Sequence, residues 1–106
     1  MLQFETRKSA VVSTAHMAPS DKELLEQYVA VIPTADVVIR PYEYGIELCL
    51  ATEEHLEQME NIANELDLTQ EFLNNVKAII DSDTDLYSVV FDRDAYLVGG
   101  LMTFEW

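Results

Sequence analysis

The sequence predicts an α+β domain: an antiparallel or mixed sheet of about five strands with three helices packed mainly on one face. Three observations predict it. Short β-branched runs alternate with longer segments whose apolar residues recur at helical spacing. The strand-like runs come in adjacent pairs, which favours hairpins over single parallel strands between helices. The chain has 106 residues, and 49% of them are apolar and spread along its length. That is enough for one domain, residues 1–106, to bury a core without covalent staples.

The elements follow in the order β-α-β-β-α-α-β-β, with a short extra strand at Leu2–Thr6. "SAVVSTAH" (9–16) reads as a strand that Pro19 ends. "SDKELLEQYVAVI" opens with a capping-box pattern, Ser20 followed by Glu23, and puts Leu24, Leu25, Tyr28 and Ile32 on one helical face. Pro33 stops that helix. "DVVIR" and "YGIELCLA" read as two strands joined through Pro41 to Gly45; Ile46, Leu48 and Leu50 point one way, Glu47 and Cys49 the other.

Thr52 is the expected N-cap of a second helix, with Glu53 and Glu54 in its first turn. Its apolar stripe is Leu56, Met59, Ile62, Ala63 and Leu66. "DLT" (67–69) breaks it, and Thr69 caps a third helix striped by Phe72, Leu73, Val76, Ile79 and Ile80. The closing "LYSVVFDRDAYLVGGLMTFEW" reads as a hairpin turning near Asp92–Asp94. Tyr96, Val98, Met102, Phe104 and Trp106 share one side of its last strand, and Leu97 and Leu101 the other. A strand apolar on both sides is central in a sheet or covered by another chain. Gly99 and Gly100 mark a bulge or a close backbone approach.

Charge is the strongest global signal. The net charge is −14. Residues 1–40 carry five acids and four bases; residues 41–106 carry fifteen acids against Lys77 and Arg93 alone. Direct nucleic-acid binding is not expected on this balance, because phosphate contacts need Lys and Arg. A basic protein partner is the complement, and plain solubility is the other reading. No uncharged apolar run reaches a membrane span. No secretory h-region opens the chain, and Cys49 is the sole cysteine, so a reducing cytoplasm is expected.

Chemistry-bearing patterns are sparse. Asp81, Asp83 and Asp85 imitate positions 1, 3 and 5 of a calcium loop, but Leu86 stands where glycine is needed and no helix follows. His16 and His55 sit in different elements with no second soft ligand at zinc spacing. His16 is expected to hydrogen-bond in the core or orient a loop, and His55 to be exposed. Neither "STAH" nor "LCL" carries a nucleophile elbow, and phosphate and dinucleotide motifs are absent. Cys49 reads as a small core residue. No enzyme, cofactor or metal site is therefore expected.

What remains is a row of carboxylates. Glu53, Glu57 and Glu60 fall at i, i+4, i+7, with Glu54 beside them. Each neighbouring pair at about 6 Å repels by roughly 0.7 kcal/mol in water before screening. No lysine intersperses them, unlike an ordinary solvated helix face. Asp81, Asp83 and Asp85 add negative charge at a helix C-terminus, which is already negative. Local rules are broken where function demands it. The expected partner-binding set is thus Glu53, Glu54, Glu57, Glu60, Asp81, Asp83 and Asp85, with a solvated loop or a bound cation as the other readings of the aspartates. Two helices packed as an antiparallel hairpin would bring these aspartates to Glu53 and Glu54.

"VVSTAHMAPSDKELLEQ" (11–27) and "YEYGIELCL" (42–50) resemble a small domain family of plasmids, phages and integrated elements. The resemblance covers the first half of the chain and assigns no catalytic residue. It implies a mobile-element setting, where small acidic proteins act as inhibitors of host defence, such as anti-CRISPR and antirestriction proteins. The combined expectation is a non-enzymatic inhibitor whose carboxylates occupy a basic nucleic-acid-binding surface of a host protein or complex. The alternative is an accessory domain that homodimerises through its apolar C-terminal strand.

Overall fold

A computed structural model describes residues 2–3 and 5–106. It is an α+β fold with three helices over a four-stranded mixed sheet. The strands are β1 (Lys8–Ser13), β2 (Ile39–Tyr42), β3 (Gly45–Cys49) and β4 (Leu86–Asp92). The helices are α1 (Pro19–Val31), α2 (Glu53–Leu66) and α3 (Gln70–Ser82). The sheet order is β1-β4-β3-β2; β4 is antiparallel to β3 and parallel to β1, and β2 is antiparallel to β3.

Register sorts the two faces of the sheet. Val12 lies beside Phe91 and Phe91 beside Ile46; Ala10 lies beside Val89, Val89 beside Leu48, and Leu48 beside Ile39. These rows pack against Leu25 of α1, Met59 and Ile62 of α2, and Phe72, Val76 and Ile79 of α3 in one core. The rings of Phe72 and Phe91 meet tilted at 5.4 Å, joining α3 to the sheet. The opposite face carries Arg40, Glu47, Val90 and Val11 in one row and Tyr42, Gly45, Asp92 and Ser13 in another. A Cβ on Gly45 would lie 1.8 Å from the Phe91 carbonyl oxygen, so only glycine lets β3 and β4 approach there.

Several local expectations hold. Thr52 caps α2, its hydroxyl accepting from the His55 amide at 3.1 Å. Asp67 ends α2 in the left-handed region at φ 55°, a conformation open to Asp and Asn. Cys49 is fully buried.

Others are corrected. "SAVVSTAH" is a strand only to Ser13; Thr14–His16 is a 3₁₀ turn, with the Ser13 hydroxyl accepting from the Ala15 amide. The Ser20–Glu23 capping box does not form, because α1 begins at Pro19, a residue suited to a first helical turn. Of its predicted apolar face only Leu25 is buried. Of "DVVIR", Asp36 and Val37 end a 3₁₀ turn over Pro33–Val37, and the strand starts only at Ile39; it tolerates Pro41 because β2 is a sheet edge. In the expected strand at Leu2–Thr6, Phe4 lies outside the described residues, and the others are not in a strand.

The largest correction is the C-terminal strand. The chain turns after β4 as expected, with the Ala95 amide donating to the Asp92 carbonyl at 3.1 Å. Residues 96–106 then form a strap without strand pairing. Its polar groups bond elsewhere. The Val98 amide donates to His16 Nε2 at 2.9 Å, and the Met102 amide to Asn75 Oδ1 at 2.9 Å. The Phe104 amide donates to the Ala15 carbonyl at 2.7 Å, and Trp106 Nε1 to the Met17 carbonyl at 3.0 Å. Leu101 and Phe104 face the core, while Tyr96, Leu97, Met102 and Trp106 are exposed. Gly99 and Gly100 border no close backbone; Gly100 instead supplies a turn at φ +94°.

Candidate functional site

The acidic residues of α2 and the α3 terminus come together because the helices are joined by a short turn and run back on each other. Asp21 of α1 fixes that turn. It is buried, and its Oδ1 accepts from both the amide and the hydroxyl of Thr69 at 3.1 Å each. A carboxylate at the start of α3 satisfies a free amide and complements the helix dipole. Thr69 occupies the N-cap position, but its side chain is spent on Asp21 rather than on its own helix. The sequence hint for Asp21 was its place one turn before Leu25 on the buried side of α1.

The return of α3 places its C-terminus at the N-terminus of α2. Glu53 lines the same hollow of about 240 Å³ as Asp81 and Asp83, with Leu56 and Ile80 on its apolar wall. Further along, Glu60 and Asp81 flank a groove of about 480 Å³ between the two helices. Glu53, Glu57 and Glu60 remain on one face of α2, and all three are exposed. Glu54 is exposed beside them, and neither Glu54 nor Glu57 lines either hollow.

The three aspartates are not equivalent. Asp81 is exposed and faces α2. Asp83 pairs with Lys8 of β1, Nζ to Oδ2 at 2.5 Å, and its Oδ1 accepts from the Asp85 amide at 2.9 Å. The Lys8 hydrogen bond, helped by that amide, holds the Asp83 carboxyl below the ordinary carboxylate range, and Asp83 raises the Lys8 ammonium in turn. Asp85 lines a separate hollow with Arg7, Lys8 and Tyr87. The acidic edge thus runs from Glu60 to Asp81 along a groove that Lys77 also lines, and it meets Lys8 and Arg7 from residue 83 onward. Leu86 opens β4, so the chain past Asp85 is extended and does not wrap as a calcium loop does. Among the described residues, no three His, Cys, Asp or Glu side chains converge on a common metal position.

The remaining chemical groups are occupied structurally. His16 is fully buried; Nε2 accepts from Val98, so the ring proton sits on Nδ1 and donates to the Met102 carbonyl at 3.0 Å. That is the loop-orienting role expected of it. Asn75 completes the clasp, with Nδ2 donating at 2.9 Å to both the His16 and Met102 carbonyls. Burial pushes the Cys49 thiol up, away from the reactive thiolate. His55 is half-buried rather than exposed. On the outer sheet face the Tyr42 hydroxyl donates to Asp92 at 2.6 Å. Burial and then Asp92 raise the phenol, and the Tyr42 hydrogen bond lowers the Asp92 carboxyl. The Ser88 hydroxyl donates to Glu47 at 2.7 Å.

No helix among the described residues is long and apolar enough to cross a membrane. No curated protein and no solved structure matches the chain. A family model described as the C-terminal domain of a family of unknown function (DUF5983) matches residues 9–106, and the chain belongs to that family.

Proposed function

We propose that this chain is a non-enzymatic binding protein that presents the acidic edge of α2 and the α3 terminus to a basic protein surface. The observation that carries the reading is the alignment of Glu53, Glu60 and Asp81 along facing sides of the α2–α3 pair, with Lys77 the one cation lining the groove that Glu60 and Asp81 border. Glu53, Glu57 and Glu60, held about one helical turn apart on a helical hairpin, suit a surface that otherwise binds phosphates. The partner is a basic nucleic-acid-binding protein or complex, and binding excludes its nucleic acid. In a mobile-element setting this is an inhibitor of host defence, of the anti-CRISPR or antirestriction kind, acting in the host cytoplasm.

Tagged protein incubated with lysate of the producing cells tests this. A captured partner should be released by excess duplex DNA and by moderate salt, and lost with Glu53/Glu57/Glu60→Lys. Capture indifferent to DNA and to the triple reversal would remove the reading.

A second reading has a specific observation behind it. Tyr96, Leu97 and Trp106 of the strap are exposed by 89%, 64% and 60%. Exposed aromatics on one segment suit a contact between two copies of the chain. Sedimentation of the native chain against a Tyr96→Ser/Leu97→Ser variant distinguishes a homodimer from a monomer.

A further inference from the structure

The groove between α2 and α3 has more than charge. Its floor holds Leu56, Met59, Leu73 and Ile80, contributed by both helices. Leu56 is exposed by 37%, and Leu73 and Ile80 are half-buried, so the core leaves part of each uncovered. Leu73 and Ile80 are seven residues apart on α3, about 10.5 Å along its axis. That is the i, i+7 interval at which a helix lying in a groove repeats its apolar anchors. Glu60 and Asp81 stand on the rim, two carboxylates against the single cation Lys77 among the lining residues.

We infer that this groove is the docking site for a basic amphipathic helix of the partner protein. Its apolar face would lie on Leu56, Leu73 and Ile80, with Lys or Arg side chains reaching Glu60, Asp81 and Glu53. The occupant follows from the pairing of an apolar floor with an acidic rim. A phosphate-like edge alone would need no uncovered leucines. An apolar helix without basic flanks would leave the rim carboxylates unpaired as they lose water, which is costly. Long Lys and Arg stems cover apolar surface while their heads reach the rim. This inference rests on the acidic-edge reading and narrows it to one kind of partner element.

The test uses a fluorescein-labelled synthetic peptide of leucine and lysine patterned at helical period. A scrambled peptide of the same composition and an oligolysine of equal charge serve as controls. The patterned peptide should bind the native chain one to one, at least tenfold more tightly than either control. Leu56→Gln and Leu73→Gln, at positions open enough to keep the fold, should each weaken it severalfold and leave oligolysine binding unchanged. Methyl labelling of methionine gives a second readout: the Met59 signal should move on binding while that of fully buried Met17 stays.

Equal binding of patterned and scrambled peptides, equal binding to folded Leu73→Gln, or a static Met59 signal would each overturn the inference. The two readings fail differently. If Glu53/Glu57/Glu60→Lys abolishes binding of every peptide and Leu73→Gln changes none, the groove falls and the acidic edge stands. Patterned binding that needs Leu73 and survives the charge reversal would overturn the acidic edge, and with it the basic half of this inference.

Discussion

Lys8 Nζ and Asp83 Oδ2 lie 2.5 Å apart, joining the first strand to the loop after the last helix. The pair answers why three aspartates follow a helix whose end is already negative. One of them has an internal cation, supplied by the nearly neutral first part of the chain. Asp85 shares a hollow with Lys8 and Arg7. Asp81 and Asp83 share a hollow with Glu53 of α2, and of the two Asp83 is paired with Lys8.

Lys8→Met should release Asp83. Its folded carboxyl is lowered, so the pair's contribution is present above the ordinary carboxylate range and lost as pH falls through the folded value. The Lys8 ammonium is raised, so the same contribution is also lost at alkaline pH, as lysine deprotonates. The melting-temperature difference between wild type and variant should be small, greatest near neutrality, and close to zero in strong acid. Lys8 is exposed and Asp83 only half-buried, so salt should shrink it. A difference that grows on acidification would contradict the pairing.

Calcium should leave the chain unchanged. Asp83 is committed to Lys8 and the Asp85 amide, and Asp81 and Asp85 line different hollows. Melting curves in millimolar Ca²⁺ and in chelator should superimpose, for wild type and for Asp83→Asn alike.

Asn75→Leu should cost roughly 3 kcal/mol and loosen the strap. It removes three hydrogen bonds and leaves the buried His16 carbonyl and the part-buried Met102 amide short of partners, at about 1–3 kcal/mol per unsatisfied group. Trp106 is the only tryptophan, and its indole donates to the Met17 carbonyl. Its fluorescence should therefore report strap release at lower urea than global unfolding by circular dichroism. Coincident transitions at wild-type stability would show that Asn75 does not hold the strap.

Gly45→Ala should destabilise by about 3 kcal/mol or more, the upper end for overpacking, since the new methyl meets the rigid Phe91 carbonyl. Urea unfolding checks this against Gly99→Ala, where nothing lies within 4 Å of an added Cβ and the cost should be minor.

The contrast between Gly45 and the Gly99–Gly100 pair also shows what was legible in the sequence. Periodicity predicted α2, α3 and the hairpin of β2 with β3, because local propensity and burial agree there. The short break at Asp67–Thr69 left room for an antiparallel return of α3 toward Glu53, but whether the two helices pack that way was open in the sequence. Periodicity misread the C-terminus because alternating apolar residues carry the same pattern in a strand and in a strap. The difference lies in the backbone partners: His16 and Asn75 side chains supply them, from positions 59 residues apart. A trace of this was visible. Asn75 interrupts the apolar face formed by Phe72, Val76 and Ile79, as a buried polar group with fixed partners does. The parallel pairing of β1 with β4 had no local signal, since it depends on which edge of the sheet the first strand joins. At the acidic edge, the row on α2 was readable from spacing, whereas the neutralisation of Asp83 by a residue 75 positions earlier was not.

The central claim is that the carboxylates of α2 and the α3 terminus form one binding surface for a basic partner. The most direct measurement is partner capture by wild type and by Glu53/Glu57/Glu60→Lys over increasing salt, with melting curves of both proteins alongside. The account predicts salt-sensitive, DNA-displaceable capture by wild type. It predicts none by the variant, which should be as stable as wild type or more so, because self-repulsion falls. Equal capture by the two folded proteins would contradict it.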